Sequence, residues 1–156
     1  MSQEKTGVRL VQRPEQPTAV IREKVPMNEL LEFFGRAYGA VMAAVQQQGV
    51  QLAGPPFGRY LSMPTDSVDV EAGFPVSTPI TASAGVAAGT LPACQAFEAT
   101  HTGPYDTLTT TYDAIQERMT EEGFTPADSM WEYYLSDPAK EPDPATWRTL
   151  VVWPVA

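Results

Sequence analysis

A single cysteine, Cys94, in 156 residues rules out an internal disulfide. Its setting in "ACQAFEA" reads as a small buried strand residue. With one histidine, His101, the chain cannot assemble the cysteine and histidine sets that hold zinc, so no metal and no cofactor is expected. Positive charge is scarce too. Ten lysines and arginines against nineteen aspartates and glutamates leave a net charge of −9. A protein that grips nucleic acid needs a basic stripe to neutralise phosphates, so direct nucleic-acid binding is not expected. A field of this sign favours cationic over anionic ligands at long range. No stretch approaches the length of apolar sequence that spans a bilayer, and "MSQEKTGVRL" has no apolar centre typical of a secretory signal. A cytoplasmic, soluble protein without membrane association is the expectation. Phosphate loops and dinucleotide fingerprints are missing, and Ser62 and Ser136 lie outside any nucleophile elbow.

What is present is a globular composition, with 43% hydrophobic and 10% aromatic residues. The length fits one domain, or two small halves sharing one core. "VRLVQRP" and "TAVIREKV" read as strands divided at Pro14 and Pro17. Pro26 then opens a helical stretch that closes on Gly49. Met27, Leu30, Leu31, Phe34, Tyr38, Val41, Met42 and Val45 fall on its apolar face. Strands "FGRYLSM" and "VDVEAGFPV" follow, separated by a turn at residues 64–66.

The order then repeats. After the small, polar connector "STPITASAG" come strands "VAAGTLP" and "ACQAFEATH", a helix from Pro104 to Gly123, and strands "SMWEYYLS" and "TWRTLVVWPV". Tyr105, Leu108, Tyr112, Ile115 and Met119 line the second helix face. "RYLSMP" at 59–64 returns as "YYLSDP" at 133–138, 74 residues later, and Gly49 and Gly123 share that spacing. Pro26 and Pro104 are 78 apart, which makes the first helix about one turn longer. Neither helix can bury its apolar face alone, so the two units are expected to share a sheet. The predicted fold is α+β: a duplicated strand–helix–strand–strand unit, each copy with an extra leading strand, giving about eight antiparallel strands and two main helices. One domain over 1–156 is expected, with pseudo-repeat halves of about 8–76 and 86–155.

Several short pieces, in order, carry a family resemblance: "VDVEAGFPV" at 68–76, "LPA" at 91–93, "HTGPY" at 101–105, "WEYYLSDP" at 131–138 and "WPV" at 153–155. From about Val8 onward the chain resembles the GyrI-like family, whose fold is also the effector-binding domain of multidrug-responsive and AraC-type transcription activators. The resemblance implies a small-molecule-binding domain. Members range from gyrase modulators and drug sensors to stand-alone hydrolases of cyclopropane-containing toxins. With the first strand near Val8, no room for a helix-turn-helix is expected here, which points to the stand-alone form.

The two copies differ at one telling place. Gly58 precedes the first repeated phrase and Glu132 precedes the second. On an alternating strand Glu132 shares a face with Met130, Tyr134 and Ser136. Read alone, Glu132 is either an exposed strand residue or a carboxylate placed beside aromatic surface. In the family, a glutamate followed two residues later by another pocket residue contacts ligand, and "WEYY" fits that pattern. The candidate ligand-binding set is Glu132, Tyr134, Trp147, Tyr112, Tyr38 and Phe34, with core packing the plain alternative for each aromatic. Gly35 and Gly39 suggest a bare helix side against the sheet or a ligand. His101, directly before the second helix start, reads as structural.

Such a carboxylate can balance a lipophilic cation held on ring faces, or, with its pKa raised by desolvation, act as acid or base. The leading reading is a stand-alone binder of hydrophobic, cationic or polycyclic drugs and toxins. The alternatives are a hydrolase of strained, cyclopropane-type toxins with Glu132 as the catalytic acid or base, and a protein-interaction module such as a gyrase modulator. Whether the chain is an enzyme stays open at this level.

Overall fold

The computed structural model describes residues 7–62, 65–136 and 140–156. The closing residues of the two repeated phrases, Met63–Pro64 and Asp137–Pro138, lie outside the described residues, as do residues 1–6. Eight antiparallel strands and two main helices give the α+β fold expected. The strands are β1 (Arg9–Arg13), β2 (Gln16–Pro26), β3 (Phe57–Tyr60), β4 (Ser67–Pro75), β5 (Ala87–Leu91), β6 (Cys94–Thr102), β7 (Met130–Tyr134) and β8 (Arg148–Pro154). The helices are α1 (Leu30–Gln47) and α2 (Leu108–Glu121), each entered through one 3-10 turn.

Contacts divide the chain into two compact units. The first is Pro14–Ala93, with strand order β5-β2-β4-β3. The second is Cys94–Ala156 joined by β1, with order β1-β6-β8-β7. The order within each matches, and so does the register. Ala87 faces Val20 as Arg9 faces Glu98, and Gly58 faces Ala72 as Glu132 faces Val151. Each leading strand therefore pairs with the other half of the sequence. Two residues link β1 to β2 and β5 to β6, and each link contains a proline, Pro14 or Pro92. Proline lacks an amide donor and biases its predecessor to extended backbone, which disfavours a hairpin at each link.

In the first unit α1 packs on β2 and β4. Its buried stripe is Phe33, Ala37, Val41, Ala44 and Val45, against Ala19, Val68, Val70, Ala72, Phe74 and Val76. The periodicity drew that face too wide. Leu31 is 81% exposed and Met27 sits 38% exposed in the 3-10 turn, while Phe33, outside that apolar set, is buried. Gly35 and Gly39 are exposed with open space where a Cβ would be, so they do not abut the sheet.

In the second unit α2 packs on β6 and β8 through Leu108, Ile115 and Met119. Both helices close alike. The Val50 amide donates to the Val45 carbonyl and the Phe124 amide to the Met119 carbonyl. Gly49 and Gly123 hold the left-handed conformation that this closure needs (φ +67° and +79°). Strands β3 and β7 stop at Tyr60 and Tyr134, earlier than the apolar pattern implied. Trp147 precedes β8, at the end of a 3-10 turn, instead of starting the strand.

Candidate functional site

Strand β7 carries five residues, "MWEYY", of which the first four are buried. Period-two alternation puts Met130, Glu132 and Tyr134 on one face. Glu132 is only 1% exposed. Its carboxylate accepts two hydroxyls, Tyr112 from α2 at Oε2 and Tyr134 from its own strand at Oε1, the latter at 2.9 Å. Burial pushes the Glu132 carboxyl above the usual carboxylate range, and the two hydroxyls offset this only in part.

The rings extend outward from there. Tyr134 meets Tyr105 edge to face at 5.8 Å, and Tyr105 lies over Trp147 at 5.0 Å. Trp147 is held from behind, its indole N–H donating to the Glu141 carbonyl at 2.6 Å. Tyr112 sets its ring edge to face against Trp153 at 6.2 Å. The structure thus gathers four predicted residues, Glu132, Tyr134, Tyr112 and Trp147, with Tyr105 as the link between Trp147 and the rest.

The helical periodicity places Tyr105 only on the apolar face of the second helix. The nearest sequence signal was its place in "HTGPY", directly before the helix. That turn is held by His101, as expected of a structural histidine. Its Nδ1 pairs with the Thr111 hydroxyl at 2.8 Å, and its Nε2 with the Thr107 hydroxyl at 2.9 Å and the Pro104 carbonyl at 3.2 Å. His101 thereby fixes the 3-10 turn that carries Tyr105 and the start of α2, which carries Tyr112.

The remaining two predicted residues belong to the first unit. Phe34 stacks on Tyr38 at 5.8 Å and meets Tyr60 edge to face at 6.4 Å. Tyr38 packs on Phe74 at 5.7 Å, as Tyr112 packs on Trp153. Tyr38 and Tyr112 are 74 residues apart, the spacing that also relates Gly58 to Glu132. Where position 58 carries no side chain, the Tyr38 hydroxyl goes to the Phe57 backbone carbonyl at 3.0 Å. The duplicated scaffold has become chemically unequal: one copy holds a buried acid and the other does not.

A second buried carboxylate gives the contrast. Glu98 on β6 is 5% exposed, and both its oxygens receive arginine, Arg9 and Arg13 at 2.6 Å each. The Arg13 guanidinium also covers the Tyr133 ring, 5.5 Å from its centre. Among the described residues no cationic side chain forms an ion pair with Glu132. Nor does any group of three or more histidine, cysteine, aspartate or glutamate residues there suit a metal ion. No helix among them is long and apolar enough to cross a membrane.

The duplicated α+β fold thus carries, in its second unit, a buried carboxylate with a tyrosine hydroxyl on each oxygen. The chain belongs to the GyrI-like family, whose small-molecule-binding domain matches residues 6–156. The fold is similar to that of the EcmrR C-terminal domain, with a TM-score of 0.82 at 23% identity over 96% of each chain. It spans 95% of this chain and 56% of the EcmrR chain in that protein's complex with DNA. SAV2435 bound to tetraphenylphosphonium is similar at a TM-score of 0.67 and 13% identity, over 96% of this chain and 93% of that one. A hydrolase encoded by lin2189 of Listeria innocua gives 0.65 at 14% identity, over 97% and 92%. No curated protein matches in sequence.

Proposed function

We propose that this domain binds hydrophobic cationic or polycyclic small molecules, drugs and toxins among them, for sequestration or for sensing through a partner. Glu132 supplies the counter-charge. One observation carries the reading: Glu132 is buried, satisfied by two tyrosine hydroxyls, and without a cation of its own among the described residues. A buried ion without a partner is costly. A ligand cation that arrives between the rings removes that cost and gains ring-face contacts of about 0.5–2 kcal/mol each. Among the fold's relatives, SAV2435 is bound to one such cation, tetraphenylphosphonium. Direct nucleic-acid binding forms no part of the reading, since a net charge of −9 opposes it.

Tetraphenylphosphonium is accordingly the first probe. Calorimetric titration of the wild type and Glu132→Gln should show saturable binding that weakens by about 1–3 kcal/mol in the variant, the scale of a charge-assisted contact. Equal affinities would remove Glu132 from the site.

A second reading rests on the proton affinity of Glu132. A carboxyl pushed upward by burial is suited to protonate a strained ring as it opens, or to activate water. Incubation with cyclopropane-containing electrophiles, followed by mass spectrometry, tests it. Turnover should fall roughly 100-fold or more in Glu132→Gln while binding survives.

A further inference from the structure

One buried polar group beside Glu132 has no use within the protein. Thr149 on β8 is 0% exposed, and no hydrogen-bond partner for its hydroxyl lies among the described residues. Its place is set by register. Thr149 stands directly opposite Tyr134 on β7 and His101 on β6. Directly paired residues share a face, so the Thr149 side chain lies on the face that carries Glu132 and Tyr134.

Its neighbours in that row are committed elsewhere. His101 pairs with Thr111, Thr107 and the Pro104 carbonyl, and the Tyr134 hydroxyl donates to Glu132. A β-strand tolerates valine or isoleucine at such a position at no cost, whereas an unmet buried hydroxyl carries a desolvation penalty. Buried polar atoms are nearly always partnered, by protein, water or ligand, so an unmet hydroxyl on the face of a buried acid is a place where a ligand donor can bind.

We infer that Thr149 is a hydrogen-bonding subsite of the Glu132 site, selecting cations that carry N–H donors, protonated amines, over fully substituted ones. The inference rests on the ligand reading proposed above. Each Glu132 oxygen already accepts one hydroxyl and keeps a free lone pair. Thr149 and Glu132 are diagonal neighbours across the β7–β8 pair, roughly 7–8 Å apart at their backbones and closer at the side-chain tips. One ammonium group can donate to both. Beside a carboxylate the hydroxyl serves best as an acceptor, because the field there attracts the positive group. A quaternary ammonium or a phosphonium has no N–H to give and leaves Thr149 unpaired.

The test uses the whole chain and two probes of one shape, 4-phenylbenzylamine and its N,N,N-trimethyl analogue, with Thr149→Val, Thr149→Ser and Glu132→Gln. Thr149→Val should weaken the primary amine about three- to tenfold and leave the trimethyl analogue unchanged, while Thr149→Ser keeps wild-type preference. Glu132→Gln should weaken both. Without ligand, Thr149→Val should melt at the wild-type temperature or about 2–4 °C above it, since an unpaired hydroxyl is exchanged for an isosteric methyl. A clear fall in melting temperature would mean that the hydroxyl is satisfied in the folded chain, and the inference fails. If Glu132→Gln weakens binding but Thr149→Val leaves the preference intact, the site stands and the subsite falls. If neither variant changes binding, or neither probe binds, the site reading falls and takes the subsite with it.

Discussion

The hydroxyl of Tyr112 is given to the Glu132 carboxylate, whereas Tyr38, at the matching place 74 residues earlier, gives its hydroxyl to the Phe57 backbone carbonyl 3.0 Å away. The two tyrosines pack alike on Trp153 and Phe74, so the difference arises from what faces them. Duplication supplied two equal cradles, and a glutamate in one of them set a charge that the other cannot hold. Removing the hydroxyl should therefore have different consequences in the two copies. Tyr112→Phe should push the Glu132 carboxyl still higher, because a hydrogen bond that favours its ionised form is gone. Tyr38→Phe should cost stability of about 0.5–1.5 kcal/mol without altering that titration. Carboxyl chemical shifts followed by NMR against pH separate the two outcomes.

Stability against pH is the second expectation. Glu132 has a folded-state pKa above its unfolded value. Between those two values the folded chain binds more protons than the unfolded one, so stability falls as pH rises. The contribution is complete below the unfolded pKa and is lost as pH rises through the folded one. Glu132→Gln cannot titrate there. Urea unfolding across pH 4 to 8 should show the wild type losing ground to the variant on the alkaline side. A gap between the two proteins that stays constant with pH would refute this.

Much of this arrangement was legible in the residues. The repeated "YLS" phrase, the paired prolines and the helix-ending glycines fixed the duplicated α+β unit. The glycine-to-glutamate change pointed to Glu132. Three things were not legible, each for a physical reason. Strand partners depend on long-range register, so the exchange of β1 and β5 between halves left no local mark beyond Pro14 and Pro92. The true buried face of α1 runs through Phe33 and Ala37, and Leu31 reads as core only until a 3-10 turn has set the phase. Thr149 looked like any β-branched strand residue, because an unpaired hydroxyl shows only once its surroundings are closed.

Glu98 should behave as a structural counterpart of Glu132. It is buried, and Arg13, whose side chain is 26% exposed, does more to shield it than Arg9 at 61%. Arg13→Met should therefore destabilise by about 1–3 kcal/mol, because a buried carboxylate loses a charged donor. Arg9→Met should cost less, in the range of exposed pairs. The double variant should lose more than the sum of the single ones, since each arginine covers partly for the other. Thermal or chemical unfolding of the three proteins decides. Strict additivity would mean that the pairs act independently and that the cluster is not a unit.

Ligand binding itself should depend on pH through Glu132. Tetraphenylphosphonium carries a fixed charge, so any titration seen in its binding belongs to the protein. Below the raised pKa of Glu132 the carboxyl is neutral, and a cation must displace its proton to gain a counter-charge. Affinity should fall by about tenfold per pH unit in that range and level off above it, the slope of one linked proton. Titrations in buffers of different ionisation enthalpy should report up to one proton released per ligand on the acid side and none on the alkaline side. Glu132→Gln should bind more weakly than the wild type on the alkaline side of that titration, with the pH slope flattened. His101 is engaged elsewhere, with the Thr111 hydroxyl of α2 and with the Thr107 hydroxyl and Pro104 carbonyl of the turn before it. A variant that keeps the full wild-type slope would show that some other group controls binding, and the counter-charge would have to be sought away from β7.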